Sequence, residues 1–328
     1  MTAAAAFVPV IHAARPDRPD EQDTVDTAAN IAAVLARQGY KTEVIDIGTD
    51  FAPLYDLLVR HPSVVFNMAE TVAGDASRAD QPVRLMQDLG LRFTGCDARA
   101  LSAALSKTGS KRLMAASGIP TPLWWEAGED VPATTRAIIK SDSEHASLGI
   151  DAGSVVTGLQ ASAEIAAREA RFGGRFFAEA YIAGREFNVA LLQDAQGVQV
   201  LPIPEILFDS LPDDQPKIVD YAAKWDPGSH AYWNTPRRFG LEVQNPALAA
   251  DLARHALACW HAFGLSGYAR VDFRVTESGL PLVLEVNTNP CLARDAGFAA
   301  TAEQDGIDYD ALIAKVLDAA CLSPAKAA

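Results

Sequence analysis

The stretch GYARVDFRVTESGLPLVLEVNTNPCL, residues 267–292, predicts two β-strands joined by a tight turn. Polar and apolar side chains alternate over 270–275, with the two-residue period of a strand that buries one face. The segment TESG at 276–279 contains the small and polar residues that favour a turn. We therefore expect a β-hairpin, with the second strand at 280–287.

Three oxygen-bearing side chains are brought together by this predicted hairpin. Asp272 lies on the first strand, and Glu285 and Asn287 lie two residues apart on the second, so both face the same side. Two carboxylates and a carbonyl oxygen suit Mg²⁺, which proteins usually hold together with nucleotide phosphates. The alternative is an ordinary hairpin with polar side chains in solvent. Arg270 beside the acids and Pro290 in the following loop favour a site.

Composition and charge exclude several classes of protein. The 328 residues suffice for two or three domains, and the net charge of −14 disfavours broad nucleic-acid binding. The four cysteines form no CxxC pair, which indicates a reducing compartment without a zinc site or disulfide framework. No uncharged apolar run reaches the ~18 residues of a membrane span, and the start at 1–6 lacks the basic region of a signal peptide. We expect a cytoplasmic protein.

The first part of the chain alternates strand and helix patterns. The expected elements are a strand at 6–12, a charged loop at 13–23, a helix at 24–38, a strand at 41–47, a helix at 51–60 and a strand at 63–67. Such alternation predicts a parallel sheet covered by helices, with ligands beyond the carboxyl ends of the strands. Acidic segments at 17–23 and 67–80 lie at those ends; solvated loops are the alternative.

Farther along, one strand precedes a candidate phosphate-binding loop. The strand at 137–140 ends in Lys140, and the small residues of 141–149 can form a flap with backbone N–H groups that face phosphate oxygens. An ordinary surface hairpin is the alternative. The other expected elements are helices at 80–89, 162–172, 245–263 and 309–320, a helix or helix pair at 98–117, and strands at 91–95, 175–181, 184–192 and 198–206.

Seven stretches, in this order and spacing, resemble one family. They are VVFN (64–67), LGLRFTGCDARALSAALSKTGSKRLMAASGIPTP (89–122), IIKSDSEHASLGI (138–150), FFAEAYIAGREFNVALL (176–192), LPIPEI (201–206), YAAKW (221–225), and GYARVDFRV with LVLEVNTNP (267–290). Together they resemble the ATP-grasp carboxylate–amine ligases of the D-alanine–D-alanine ligase type. The resemblance implies an α/β fold (α+β in the ATP-grasp part). The implied parts are an N-terminal parallel α/β domain at 1–97, ATP-grasp subdomains at 98–185 and 186–322, and a disordered tail at 323–328.

The resemblance also implies a reaction, in which ATP converts a substrate carboxylate to an acyl phosphate that an amine then attacks. The implied metal ligands are Asp272, Glu285 and Asn287, which would hold two Mg²⁺ ions. The implied ATP-binding residues are Lys107, Lys140, Glu144, Ser147, Glu179, Glu186 and Lys224. Glu179 would lie by the adenine and Glu186 by the ribose. Lys224 would meet the γ-phosphate, Arg270 would stabilise the oxyanion, and Glu21 would meet the substrate ammonium, with Asp20 and Asp23 as competitors.

The chain departs from the family's pattern at both substrate subsites. The family's His-Gly and Glu-Asp-Gly motifs are replaced within 68–75, a Gly is Cys291, and a Ser that helps to hold the second substrate's carboxylate is Ala296. Arg294 is a new positive charge nearby. The predicted substrate-binding residues are Glu21, Glu70, Tyr221, Cys291 and Arg294.

Three functions stay open from the sequence. They are a ligase for small-molecule amino acids or peptides other than D-alanine, an authentic D-alanine–D-alanine ligase, and a non-catalytic nucleotide-binding relative. The family suggests a homodimer, with no nucleic-acid or membrane partner.

Overall fold

A computed structural model describes residues 5–144, 147–212 and 215–322. The predicted disordered tail at 323–328 lies outside the described residues, as do His145 and Ala146 of the predicted flap.

The N-terminal part is a parallel sheet with helices, as the alternating pattern predicts. Strand β1 (Val10–His12) lies between β2 (Val44–Asp46) and β3 (Phe66–Asn67), and both pairings are parallel. Helix α1 (Pro19–Arg37) follows β1, and α2 (Ala52–Arg60) connects β2 to β3. The carboxyl ends of the strands therefore share one edge.

Helix α1 begins at Pro19, five residues before the predicted start, so the expected loop at 13–23 was too long. Proline fits the first turn of a helix, where its missing N–H leaves no bond unmade. Asp20 and Glu21 in that turn interact favourably with the positive end of the helix dipole. The earlier start places Glu21 on a helix, with its side chain buried.

The predicted helix at 98–117 is a pair, preceded by α3 (Asp80–Asp88). Helices α4 (Ala98–Leu105) and α5 (Lys107–Ala116) meet at Ser106, whose hydroxyl accepts a hydrogen bond from the Gly109 N–H at 3.0 Å. The strand expected at 91–95 is a single parallel bridge between Phe93 and Val65.

A four-stranded antiparallel sheet follows, in the order β4, β7, β5, β6. Its elements are β4 (Trp124–Trp125), β5 (Arg136–Ser141), β6 (Val155–Thr157), α6 (Gly158–Phe172) and β7 (Phe176–Ala180). Lys140 and Glu179 come from its two central strands.

A six-stranded sheet completes the fold, in the order β11, β10, β8, β12, β13, with β9 also paired to β8. Its strands are β8 (Arg185–Asp194), β9 (Gly197–Val200), β10 (Glu205–Ile206), β11 (Arg237–Arg238), β12 (Tyr268–Val275) and β13 (Pro281–Asn287). The strand expected at 198–206 is two strands, because Pro202 and Pro204 lie between them and have no N–H for a sheet ladder.

The remaining helices lie in the part of the chain that also forms this sheet. They are α7 (Tyr221–Trp225), α8 (His230–Trp233), α9 (Leu241–Gln244), α10 (Pro246–Phe263), α11 (Gly297–Gln304) and α12 (Tyr309–Leu322). A hydrophobic core that includes Val65, Leu252 and Val271 joins the N-terminal residues to this sheet. None of the helices among the described residues combines the length and hydropathy that a membrane crossing requires.

Gly184, just before β8, provides a test of this packing. Its φ is +138°, and a Cβ there would lie 2.1 Å from the Val275 carbonyl oxygen. Gly173 also has a positive φ, +74°, but a Cβ there would meet nothing within 4 Å. We expect Gly184→Ala to lower the free energy of unfolding by about 1–3 kcal/mol more than Gly173→Ala, because only the former adds a clash. Urea titration measures both, and equal losses would contradict the packing.

Candidate functional site

One cavity of about 940 Å³ collects most of the predicted site residues. This volume is near the upper end of small-molecule pockets, so it can hold more than one ligand. The predicted residues that line it are Glu21, Glu70, Lys107, Lys140, Glu144, Ser147, Glu179, Glu186, Lys224, Arg270, Asp272, Glu285, Asn287 and Cys291. Tyr221 and Arg294 do not line it.

The hairpin has the predicted register at its polar residues. Glu285 lies directly opposite Asp272, and Asn287 lies opposite Arg270. The Asn287 amide donates to Asp272 Oδ2 at 3.0 Å, so the two side chains share one side of the hairpin. Asn188, opposite Asp272 on β8, donates to Asp272 Oδ1 at 2.8 Å. Asn188 was not among the predicted site residues.

Arg270 also binds the Asp272 carboxylate, in addition to Asn188 and Asn287. Its Nε donates to Asp272 Oδ1 at 2.7 Å and its Nη2 to Oδ2 at 2.9 Å, a bidentate pair. Burial disfavours the guanidinium charge, but Asp272 outweighs it and holds the pKa of Arg270 above its usual value. The Nη1 group takes no part in these two bonds to Asp272, and Arg270 lines the cavity.

The donor set of the hairpin fits Mg²⁺. Among the described residues, no three His, Cys, Asp or Glu side chains gather into a cluster suited to a metal ion. Asp272, Glu285 and the Asn287 carbonyl oxygen are instead a partial set of hard ligands. Magnesium is commonly bound by one or two carboxylates, with substrate phosphates completing its shell. The set therefore suits an ion that arrives with a nucleotide.

Lysine side chains face these acids from two other elements. Lys107 is the first residue of α5. Its ammonium donates a hydrogen bond to the Glu144 carbonyl oxygen and lies 3.8 Å from Glu285 Oε2. Burial lowers the pKa of Lys107, and Glu285 opposes that shift. Burial likewise lowers the pKa of Lys224 on α7, with Glu285 again opposing it. This end of the cavity therefore offers positive charges to an anionic ligand.

Glu179 is paired more tightly than the sequence indicated. It is 1% exposed, with Oε1 2.7 Å from the Lys140 ammonium and Oε2 2.5 Å from that of Lys111. Burial raises the pKa of Glu179, but the two lysines outweigh it and hold the value below normal. Lys111 was not predicted as a site residue, although it lies one helical turn from Lys107. A role for Glu179 beside an adenine stays a prediction.

Glu186 has an arginine partner that the sequence analysis missed. Arg274 lies opposite Glu186 in the sheet, and its Nη2 is 2.9 Å from Glu186 Oε2. Burial raises the pKa of Glu186, and Arg274 opposes this. Strand alternation could have found Arg274, since it shares the parity of Arg270 and Asp272 on β12.

The predicted flap is held at its carboxyl-terminal side. The Ser147 hydroxyl donates to the Val219 carbonyl oxygen at 2.9 Å, and the Ser147 backbone has a φ of +62°. Glu144 lies on the amino-terminal side of Ser147 in this loop, and burial raises its pKa. Both residues line the cavity, so the loop borders the predicted phosphate end.

Acidic side chains of α1, with Arg18 beside them, also line the cavity. Glu21 is 2% exposed and accepts hydrogen bonds from the Arg15 N–H at 2.7 Å and the Thr71 hydroxyl at 2.8 Å. Asp20 accepts from the Tyr221 hydroxyl at 3.0 Å, which explains how Tyr221 supports the cavity without lining it. The carboxylate of Glu21 is therefore already engaged by the protein.

Two further acids, Asp23 and Glu70, line the cavity near Glu21. Asp23 accepts a hydrogen bond from the Cys291 thiol at 3.3 Å, and burial raises the pKa of Asp23. Burial, together with Asp23 and Glu21, raises the pKa of Glu70 from 4.5 to about 8. Among the described residues, no side chain or backbone group donates a hydrogen bond to Glu70. Arg270 opposes this shift, so Glu70 is a carboxyl group in the cavity wall whose raised pKa reflects burial and neighbouring acids more than a nearby cation.

The position of Arg294 does not support its predicted role in binding the second substrate. Its guanidinium lies 4.1 Å from the centre of the Tyr309 ring and 3.6 Å from Asp310, and the side chain is 52% exposed. These contacts turn it away from the cavity. Arg237, which the sequence analysis did not select, lines the cavity instead. It follows a Pro-containing loop with no periodic pattern, so no sequence signal indicated its direction.

Comparison with known proteins agrees with this geometry. Residues 132–318 match the family model described as D-ala D-ala ligase C-terminus. The chain belongs to the D-alanine–D-alanine ligase family. It is 31% identical to the D-alanine–D-alanine ligase of Gluconobacter oxydans, over 85% of this chain and 88% of that protein. It is 29% identical to that of Gloeobacter violaceus, over 88% of this chain and 91% of that protein.

The fold is also similar to that of a solved family member. The crystal structure of D-alanine–D-alanine ligase from Bacillus anthracis complexed with ATP superposes with a TM-score of 0.74 at 20% identity, covering 97% of this chain and 98% of that chain. These matches confirm the predicted family, the mixed α/β ATP-grasp fold and the enzyme class, an ATP-dependent, ADP-forming ligase.

The raised pKa of Glu70 can be tested by measuring the free energy of unfolding at several pH values. The folded protein keeps this carboxyl protonated up to about pH 8, whereas the unfolded chain releases the proton near the ordinary value of 4.5. Stability therefore declines as pH rises through that window. Glu70→Gln cannot ionise, so its stability relative to wild type should rise by about 1–2 kcal/mol between pH 6 and pH 8.

Urea unfolding of both proteins at several pH values measures this difference. Glu303→Gln, an exposed position on α11, is the control and should show a constant offset from wild type. A constant offset for Glu70→Gln as well would show that Glu70 is ionised at neutral pH.

Proposed function

We propose that this protein forms an amide bond between an amino-acid carboxylate and an amine, using ATP and Mg²⁺, and that its preferred substrates are not two D-alanines. The observation that carries the proposal is the hairpin, which sets Asp272 opposite Glu285 beside Asn287, in one cavity with Lys107 and Lys224. This combination of oxygen ligands and lysines suits a magnesium-bound polyphosphate.

In this proposal the cationic end of the cavity binds ATP. Lys107, Lys140 and Lys224 contribute positive charges for the phosphates, and the flap residues Glu144 and Ser147 border them. Asp272, Glu285 and Asn287 would hold Mg²⁺, in our proposal two ions, which would neutralise charge on the phosphate oxygens. Glu179 and Glu186 would lie on the nucleoside side.

The reaction then has two steps. A carboxylate oxygen of the donor attacks the γ-phosphorus, the bond to the bridging oxygen breaks, and ADP leaves with that electron pair. The amine of the acceptor attacks the carbonyl carbon of the acyl phosphate, loses a proton, and displaces inorganic phosphate. Lys224 would bind the transferred phosphoryl group, and Arg270 Nη1 would stabilise the oxyanion. Catalysis of this kind depends on positioning and charge stabilisation.

The segment between α7 and β11 supports the exclusion of water. Pro227, Tyr232, Trp233 and Thr235 from this segment line the cavity. We propose that residues 226–236 of this segment act as a lid. Water in the closed site would hydrolyse the acyl phosphate, so a lid protects the intermediate.

The substrate end supports a departure from D-alanine. Cys291 adds bulk where the family has Gly, and Ala296 lacks the hydroxyl of the family's Ser. An authentic D-alanine–D-alanine ligase is the second candidate, favoured by the names of the relatives in Gluconobacter oxydans and Gloeobacter violaceus. A non-catalytic relative is disfavoured, since the charged groups for phosphate and metal are assembled.

We also propose the setting in which the protein works. It would act on small-molecule amino acids or peptides in the cytoplasm, as a homodimer, without nucleic-acid or membrane partners. The net charge of −14 supports the lack of nucleic-acid binding. The division into 1–97, 98–185 and 186–322 also stays a proposal.

Phosphate release from ATP, screened over D- and L-amino acids singly and in pairs, tests the function. We expect a pair other than two D-alanines to give the highest rate, with the dipeptide identified by mass spectrometry. D-Alanine as the best donor and acceptor would favour the authentic D-alanine–D-alanine ligase. No amino-acid-dependent release would favour the non-catalytic relative.

The metal assignment makes a separate prediction. Asp272→Asn and Glu285→Gln should each lower turnover by at least about 100-fold, because each removes a negative charge that binds the ion. Both variants should keep a cooperative thermal transition. Glu277→Gln, exposed in the turn of the same hairpin, is the control and should be fully active. Near-normal Mg²⁺-dependent turnover by either site variant would refute the assignment.

A further inference from the structure

We propose that Arg237 binds the carboxylate of the acceptor substrate, so that the acceptor is an amino acid or peptide with a free carboxylate. This inference rests on the proposed ligase function and adds a substrate class to it. It replaces the expectation that Arg294 provides the positive charge.

Strand alternation separates Arg237 from its neighbour Arg238. The two residues form β11, which pairs with β10 so that Arg238 lies opposite Glu205 and Arg237 opposite Ile206. Successive side chains of a strand point to opposite faces. Arg238 donates to Glu205 Oε2 at 2.6 Å, whereas Arg237 lines the cavity.

Arg237 forms no salt bridge with a carboxylate among the described residues. Its Nη2 donates to the Asp295 main-chain oxygen at 2.9 Å, and the Asp295 carboxylate acts on its charge from beyond salt-bridge distance. The residue is exposed and lines the cavity, so a ligand can reach it. By contrast, Glu205 is shared by Arg238 and Arg185, so the cation on the other face of β11 is paired. An unpaired arginine in a ligand cavity is suited to a carboxylate.

The loop beside Arg237 leaves room for that carboxylate. A Cβ at Gly297 would lie 3.8 Å from Arg237 Nε, so the guanidinium stands next to a residue without a side chain. Ala296 precedes α11 and offers no side-chain hydrogen bond to the first turn of the helix. Arg237 therefore supplies a donor at the place where Ala296 lacks one.

Arg237 and Arg270 are near enough to each other to act on one acceptor molecule. Both residues line the cavity, and they are close enough for their like charges to interact. A carboxylate at Arg237 would direct the neighbouring amine of the acceptor toward Arg270, where the oxyanion would form. Since an amine without a carboxylate would lack this anchor, it should be a poor acceptor.

A comparison of acid and amide acceptors tests this directly. With the best donor and acceptor found in the amino-acid screen, kcat and KM are measured for the acceptor and for its carboxamide. Wild type should prefer the acid by about tenfold or more, the scale of a charge-assisted hydrogen bond. Arg237→Ala should raise the KM of the acid about 10- to 100-fold and leave the KM of the carboxamide unchanged. Arg237→Lys should restore part of the preference.

Two variants serve as matched controls. Arg238→Ala, on the opposite face of β11, and Arg294→Ala, outside the cavity, should keep the preference for the acid. The KM for ATP should stay within about twofold of wild type in all four variants, since a loss confined to one substrate excludes a general structural effect. Active ligation without discrimination between acid and amide in wild type, or with discrimination intact in Arg237→Ala, would overturn this inference alone. Absence of amino-acid-dependent phosphate release would overturn the proposed function and this inference with it.

Discussion

The buried carboxylate of Asp272 is the constraint on which the arrangement of the site depends. It is 6% exposed and is held by Arg270, Asn188 and Asn287. A buried ion is costly to desolvate unless charge and hydrogen bonds compensate it, and removal of one partner from a buried pair typically costs about 3–5 kcal/mol. These contacts connect β8, β12 and β13 at one level of the sheet. The same contacts fix the position of the Arg270 guanidinium, and Arg270 lines the cavity.

The cavity wall carries both cationic and acidic side chains. Lys107 and Lys224 interact with Glu285 of the hairpin, and together with Lys140 they suit a polyphosphate. Asp23 and Glu70 also line the cavity, and burial raises the pKa of both. A zwitterionic substrate between these two groups would direct its ammonium toward the acids and its carboxylate toward the cations. In the proposed reaction, this arrangement would orient an amino acid for attack on phosphorus.

Much of the fold and site could be predicted where a regular period determines direction. The parity of β12 and β13 predicted that Asp272, Glu285 and Asn287 face one side, and the same rule would have included Arg274. Directions set by tertiary contacts could not be predicted. Arg294 stacks on Tyr309, and Arg237 enters the cavity, yet both occur in segments without periodicity. The start of α1 at Pro19 was missed because charged, Pro-containing segments resemble loops, although Pro followed by two acids is also a helix start.

An isotope measurement tests most directly whether this site activates a carboxylate by phosphoryl transfer. The donor amino acid is supplied with ¹⁸O at both carboxylate oxygens, and the inorganic phosphate released from ATP is analysed by mass spectrometry. Attack of the carboxylate on the γ-phosphorus predicts that one ¹⁸O atom passes from the donor into each phosphate released. Phosphate that carries no label, while amide product accumulates, would contradict an acyl phosphate and with it the proposed role of the site.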